Sequence, residues 1–379
     1  MKAKKIIKIT LIVLAAIILF FVGVVGGYVA YVACQYYRIP DMQALDVQNP
    51  VAAKIKRGEN YSVMTYNLGF GAYSPEYSFF MDTGVMDDGT NVKGKYAKGM
   101  NRADVEKNVA GQLQVAKAEN ADFYLFQEAD EKADRSYGIN MCERSRAALG
   151  THCSVYAENF HTANLFYPFN DPIGKTKAGI MTFSRYGVQS AVRRSFPITS
   201  SFIDKLFDLD RCFSVSYLEI EGSDKQLALI NLHMSAYDEG GKIRARQLEM
   251  LGGVLAGERE KGNYVVAGGD FNHCLIADRF KSDEEALSCF ESRQEIPDWV
   301  KNSILHQSEL PDGFTLAASL NEATCRGADI PYEKGVNFST VIDGFIVSDN
   351  VEVSGEVLTV DTQYAYSDHN PVKMTFKLL

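Results

Sequence analysis

The first apolar run differs from all the others. From Ile9 to Ala33 the chain has twenty-five residues without a charge and without a polar face, preceded by Lys2, Lys4, Lys5 and Lys8. At about 1.5 Å per residue, a helix of that length exceeds the roughly 30 Å of a bilayer's hydrocarbon, so the pattern predicts a membrane span and not a core helix. The lysines before it, and almost no basic residues just after it, predict a cytoplasmic N-terminus over residues 1–8 and a single pass through the cell membrane. The rest of the chain then lies outside. A cleaved signal peptide is the alternative, although its apolar region is usually about 7–15 residues. Tyr31-Val32-Ala33-Cys34 loosely resembles a lipoprotein box, which would make the chain secreted or anchored at Cys34.

Residues 34–59 read as a polar stalk containing Pro40 and Pro50. From Tyr61 onward, short runs rich in β-branched and aromatic residues alternate with helical stretches. The runs predict strands over Tyr61–Tyr66, Phe123–Phe126, Gly179–Phe183, Phe213–Ile220, Leu227–Leu232, Tyr264–Ala267, Ser339–Val347 and Val372–Lys377. Helices are predicted over Ala103–Glu119, with Asn101 as its cap, and over Gly241–Gly257, where Ile243, Leu248, Leu251 and Leu255 recur at helical spacing. With no repeat and no linker, residues 60–379 form one α+β domain. Phe70–Arg102, Ala129–Thr176 and His273–Arg326 read as insertions over one face, where specificity usually resides.

Charge and cysteines narrow the function. Four of the 39 basic residues and none of the 48 acidic ones precede Gln35, which leaves 35 against 48, a net charge near −13. Such a domain lacks the broad basic surface that holds a nucleic-acid backbone by counterion release. The seven cysteines show no metal-ligand spacing, which argues against a zinc site; six of them in an exported domain allow three disulfides.

Polar residues gather where the strands end: Tyr66-Asn67, Phe126-Gln127-Glu128, Asn231-Leu232-His233, Gly269-Asp270-Phe271-Asn272 and Val341-Ile342-Asp343. Ser367-Asp368-His369-Asn370-Pro371 precedes the last strand. Turn chemistry explains any one of these. Six in order, holding two of the chain's six histidines, predict a site at the rim of a sheet.

These residues, with Met64-Thr65 before Tyr66, resemble the endonuclease/exonuclease/phosphatase superfamily, which includes deoxyribonuclease I, exonuclease III-type nucleases, neutral sphingomyelinases and inositol polyphosphate 5-phosphatases. The resemblance covers roughly residues 60–379. It implies a four-layer α/β/β/α sandwich of two mostly antiparallel sheets and hydrolysis of a phosphoester: nucleic acid, phospholipid headgroup or small phosphodiester. It also implies Glu128 as the principal ligand of Mg²⁺ or Mn²⁺, with Asn67 assisting and Asp368 nearby, and Asp343 orienting His369. A hard carboxylate oxygen suits Mg²⁺, and a histidine with a carboxylate partner suits proton transfer or phosphate binding. Asp270 is the other possible base, and Asn272 and His233 would donate to phosphoryl oxygens. One departure stands out. In deoxyribonuclease I a glutamate pairs with the first catalytic histidine, whereas Lys177 stands at the matching position, in a stretch closer to the sphingomyelinase and phosphatase branches. Arg326, His161 and Lys177 are candidate substrate contacts from loops. The bilayer is the expected partner of the N-terminal helix, and no protein partner is inferred.

Overall fold

The computed structural model describes residues 2–198, 210–236 and 242–379. The apolar run folds as one helix, α1 (Lys2–Gln35), long and apolar enough to cross a membrane, with a mean hydropathy of 3.0 in a window that nothing else covers.

Beyond it, two mixed and mostly antiparallel sheets pack face to face. One runs Gln43–Leu45, Val188–Ser195, Cys212–Glu219, Gln226–His233, Tyr264–Asp270, Asp343–Ser348, Phe314–Ala317. The other runs Val351–Val353, Val372–Leu378, Asn60–Asn67, Phe123–Ala133, Thr176–Ser184, Cys153–His161, Val47–Gln48, with Leu358–Thr359 also on Val372–Leu378. Parallel pairing occurs between Gln226–His233 and Tyr264–Asp270, and between Asn60–Asn67 and Phe123–Ala133.

Both faces of the central strands are covered, which is why they read as continuous apolar runs. Val63, Phe123, Leu125, Leu227, Leu229, Val266, Phe345 and Met374 fill the space between the sheets. Met64, Tyr66, Tyr124 and Phe126 turn outward against Val105, Val109 and Leu113 of α2 (Arg102–Glu119) and Met141 of α3 (Met141–Ala148). Ile230, Leu232, Val265 and Ala267 meet Leu251 and Leu255 of α4 (Lys242–Glu260). These are the four layers the sequence implied. Asn101 caps α2 through its side chain, which accepts from the Asp104 amide at 2.9 Å. Gly241, expected to open α4, lies outside the described residues.

Several expectations change. The stretch Ala129–Thr176 is in large part scaffold: it completes the Phe123–Ala133 strand and supplies α3 and the Cys153–His161 strand. Val188–Ser195 is a further strand, too charged to show in the apolar pattern. Ser339–Val347 divides into Ser339–Thr340 and Asp343–Ser348, because the amides of Ile342 and Asp343 turn aside to donate to Thr324 Oγ1. Residues 34–59 lie along the domain: Gln43–Leu45 edges one sheet and Val47–Gln48 the other. All seven cysteines are free, and five of them, Cys142, Cys153, Cys212, Cys274 and Cys325, are buried singly. The three disulfides that six cysteines allowed do not form.

Candidate active site

Strand periodicity builds most of the site. Side chains alternate faces, so residues two apart share one. Tyr61 and Val63 face the space between the sheets, and the same parity leads to Asn67. Phe123 and Leu125 lead to Gln127, Leu227 and Leu229 to Asn231 and His233, and Tyr264 and Val266 to Asp270. Phe345 leads back to Asp343. The two sheets thus deliver their polar termini to one rim. Gln127 and Asn231 form its floor, with Gln127 Nε2 donating to Asn231 Oδ1 at 2.8 Å and Asn231 Nδ2 to the Met181 carbonyl at 2.9 Å.

Glu128 has the wrong parity and is brought in by a device. The pairing with Thr176–Ser184 slips between Phe126 and Ala129, and Glu128 takes φ +54°, in the left-handed region. Such a bulge re-aims a side chain at the cost of strain. Gly69 serves the same corner: at φ +49°, a Cβ there would stand 2.8 Å from Asp368 Oδ1 and 2.7 Å from the Tyr73 ring.

Asp270 is the hub. Its Oδ2 accepts from Asn67 Nδ2 at 3.0 Å and lies 3.4 Å from His233 Nε2 and 3.8 Å from His369 Nε2, while Oδ1 accepts from the Asn272 amide at 2.9 Å. Across the strand pair, Asp343 Oδ2 accepts from His369 Nδ1 at 2.8 Å. Asn272, at φ +50°, donates through Nδ2 to the Met234 carbonyl at 2.9 Å, and its second amide hydrogen has no partner among the described residues.

The electrostatics separate the two histidines. Burial is the largest single influence on His369 and opposes its charge, but the Asp343 carboxylate and the Cys325 side chain together hold its pKa well above the ordinary value. His233 is pushed well below, by burial first and then by the charges of Arg211, His369 and Arg135. The opposite shifts favour the imidazolium at His369 and the neutral imidazole at His233. Asp270 is pushed up to about 7 by burial and by Asp343, so it takes and gives a proton near neutrality. Asp368 is pushed up to about 6, by burial and with Glu128 adding to it. The Asp368 carboxylate and that of Glu128, whose Oε1 lies 3.5 Å from the Asn67 amide nitrogen, fit a divalent cation held among hard oxygens. Asp270, Asp343 and His369 also bring ligand atoms within 4.8 Å of one another, but there His369 already supplies positive charge.

Of the loop candidates, Arg326 is buried beside the site. Its amide donates to the Asp368 carbonyl at 3.0 Å and its guanidinium to the carbonyls of Gly327 and Ser74. Lys177 turns to Glu131 at 2.6 Å and Glu158 at 3.5 Å, away from the centre, and no partner meets His233 Nδ1 among the described residues. His161 stacks on Tyr37 at 3.9 Å and belongs to the junction with α1. Sequence reasoning missed two cations. Arg135 pairs with Asp130 at 2.8 Å and lies 4.1 Å from the centre of the Phe70 ring. Arg211 is buried, and its Nε and Nη1 have no partner among the described residues. Its position just before Cys212, which pairs with His233, was the signal available.

A rim site between two packed sheets, with paired acid–histidine groups facing a carboxylate cluster, defines a phosphoesterase class. The model of the endonuclease/exonuclease/phosphatase family matches residues 64–369, and the chain belongs to that family. No curated protein matches the chain. Among solved structures, an endonuclease/exonuclease/phosphatase from Beutenbergia cavernae is 14% identical with a TM-score of 0.55, over 85% of this chain and 72% of that one. ANGEL2, a 2′,3′-cyclic phosphatase in complex with adenosine-2′,3′-vanadate, is 16% identical with a TM-score of 0.50, over 88% and 98%. TDP2 of D. rerio, complexed with a single-strand DNA product, is 13% identical with a TM-score of 0.50, over 84% and 99%. At these identities the likeness is one of fold.

Proposed function

We propose that the chain is a divalent-metal-dependent phosphodiesterase or phosphatase, tethered to the cell membrane by residues 9–33 with its catalytic domain outside. The observation that carries the reading is the position of Asp270, within 3.8 Å of both histidines and sharing with Glu128 the Asn67 amide and the His233 ring. Glu128, Asp368 and Asn67 would hold Mg²⁺ or Mn²⁺, which when bound polarises a phosphoryl oxygen and offsets charge that builds during in-line displacement.

The chain's own residues divide the remaining work. Asp270 orients the attacking water and accepts its proton on Oδ2, and its pKa of about 7 suits that role. His369, already protonated and held by Asp343, donates from Nε2 to a phosphoryl oxygen. The second amide hydrogen of Asn272 and the neutral His233 donate beside it, and Arg211 adds positive charge behind His233. With a net charge near −13 over residues 35–379, a phospholipid headgroup or small phosphoester fits better than an extended nucleic acid.

The test is hydrolysis by the full chain, with Mg²⁺ or Mn²⁺, of plasmid DNA, RNA, sphingomyelin, phosphoinositides and a chromogenic phosphodiester. Metal-dependent turnover that His369→Ala abolishes supports the reading. No turnover of any of them overturns it, and turnover of nucleic acid alone overturns the substrate class.

A further inference from the structure

The last turns of α1 are packed on the domain. Val32 is buried with Ala163 and Leu165, and Tyr28, Tyr36 and Ile173 close around them. The Tyr28 ring lies 5.5 Å from Phe166; its hydroxyl donates to the Asn164 carbonyl at 3.2 Å and accepts from the Phe166 amide at 3.1 Å. The Tyr31 hydroxyl accepts from the Asn164 amide at 3.4 Å. Just past the helix, Tyr37 donates to Glu158 at 3.1 Å, Arg38 pairs with Asp210, and the Ile39 amide donates to Asp210 Oδ2 at 2.8 Å. Helix and domain are therefore joined by side-chain and backbone bonds on both sides of Cys34. The loop following His161 is fixed to the helix end.

That loop carries Phe166, Tyr167 and Phe169, which are 50%, 56% and 87% exposed. Tyr28 lies five residues before Ala33, the end of the span read from the sequence, or about 7.5 Å along a helix axis. Phe166, in contact with Tyr28, therefore sits at the depth where hydrocarbon gives way to headgroups, the level at which aromatic side chains anchor. The same loop borders the candidate site. It leaves the Cys153–His161 strand, which is separated from the strand of Glu128 only by Thr176–Ser184, with His161 level with Lys177 and so a few residues along the strands from Glu128. Tyr167 lies 5.8 Å from Phe80, and the Arg135 guanidinium lies between Phe70 and Phe160, at 4.1 and 5.3 Å.

We propose that Phe166, Tyr167 and Phe169 seat in the lipid interface of the leaflet from which α1 emerges, and so hold the catalytic rim against the bilayer that anchors the chain. The phosphoester within reach is then a lipid headgroup of that leaflet. This rests on the reading of residues 9–33 as a span.

The test places tryptophan in the loop. Trp299 is the only tryptophan, so Phe169→Trp in a Trp299→Phe background reports on one position. Leu379→Trp in the same background is the control: Leu379 is exposed, and its carbonyl accepts from Tyr264, at the end of its strand away from Asp270. The full chain is placed in phosphatidylcholine–phosphatidylglycerol vesicles whose acyl chains are brominated near the carbonyls. The proposal expects blue-shifted emission from the loop tryptophan, quenched by bromolipid and shielded from iodide, with the reverse for the control. Phe166→Ser/Phe169→Ser should slow hydrolysis of a vesicle-borne phospholipid by roughly tenfold or more, while a soluble chromogenic diester is cut as by the parent. The diester rate also shows that each variant is folded. A loop tryptophan as open to iodide as the control, on a chain that stays in the vesicles after carbonate washing, overturns the docking alone. A chain released by the wash overturns the span, and the docking with it.

Discussion

Asp343→Asn preserves shape and removes one charge, and the assignment of Asp270 and His369 makes that change visible in a pH profile. Asp343 Oδ2 accepts from His369 Nδ1 at 2.8 Å, and its ligand atoms lie within 4.8 Å of those of Asp270. At that distance and an effective dielectric of about 20, two like charges repel by about 3.5 kcal/mol, equivalent to roughly 2.5 pH units. Burial is the larger cause of the raised Asp270 pKa and persists in the variant, and His369 lowers that pKa in the parent. The net shift expected is therefore smaller, roughly 1–2 units downward. The sign follows from the role. Asp270 must be ionised to accept a proton, so the acid limb of kcat/KM, near 7 in the parent, moves to lower pH. With its Nδ1 hydrogen engaged at position 343, His369 donates from Nε2 only when charged; without the Asp343 carboxylate its burial is less opposed, so a falling alkaline limb enters towards neutrality. At pH 7 the loss in kcat/KM should be about 10²–10⁴-fold. The assay is the pH–rate profile of the full chain on a chromogenic phosphodiester at fixed saturating Mg²⁺, with circular dichroism confirming the fold. An acid limb that stays at the parent's pH would refute Asp270 as the base. A variant without an alkaline limb would refute the charged His369.

Three further outcomes test other parts of the site. Glu128→Gln should raise the Mg²⁺ concentration needed for half-maximal activity by roughly 10–100-fold, read by metal titration, because the remaining oxygens carry less charge. Gly69→Ala should cost about 1–3 kcal/mol in urea unfolding and most of the activity, since its Cβ would displace Asp368 from a backbone already at φ +49°. Lys177→Ala, which breaks a half-exposed pair with Glu131 and Glu158, should leave kcat/KM within about threefold of the parent; a larger loss would return Lys177 to the substrate's path.

How much of this was legible in the chain follows from which interactions are local. Strand periodicity is local, so Asn67, His233, Asp270 and Asp343 could be read as termini of apolar runs, and the fold placed each on the inward parity. The Val188–Ser195 strand was hidden because Arg193 and Arg194 take non-local partners, the Glu158 and Asp210 backbones and Asp41, that let charge sit in a sheet. Arg135 and Arg211 escaped for the same reason, since a buried arginine is recognisable only by what surrounds it. The choice between Asp270 and His369 as base was likewise beyond the sequence. It depends on a 2.8 Å contact across 26 residues of chain, which favours charge on His369 against its burial, and on the burial that raises Asp270 towards neutrality. Glu128 is the intermediate case. The motif marks it, yet its parity points it into the α2 layer, and only the slipped register at Phe126–Ala129 turns it to the rim. A change that restored regular pairing there would keep every residue of the motif and still remove the carboxylate from the site.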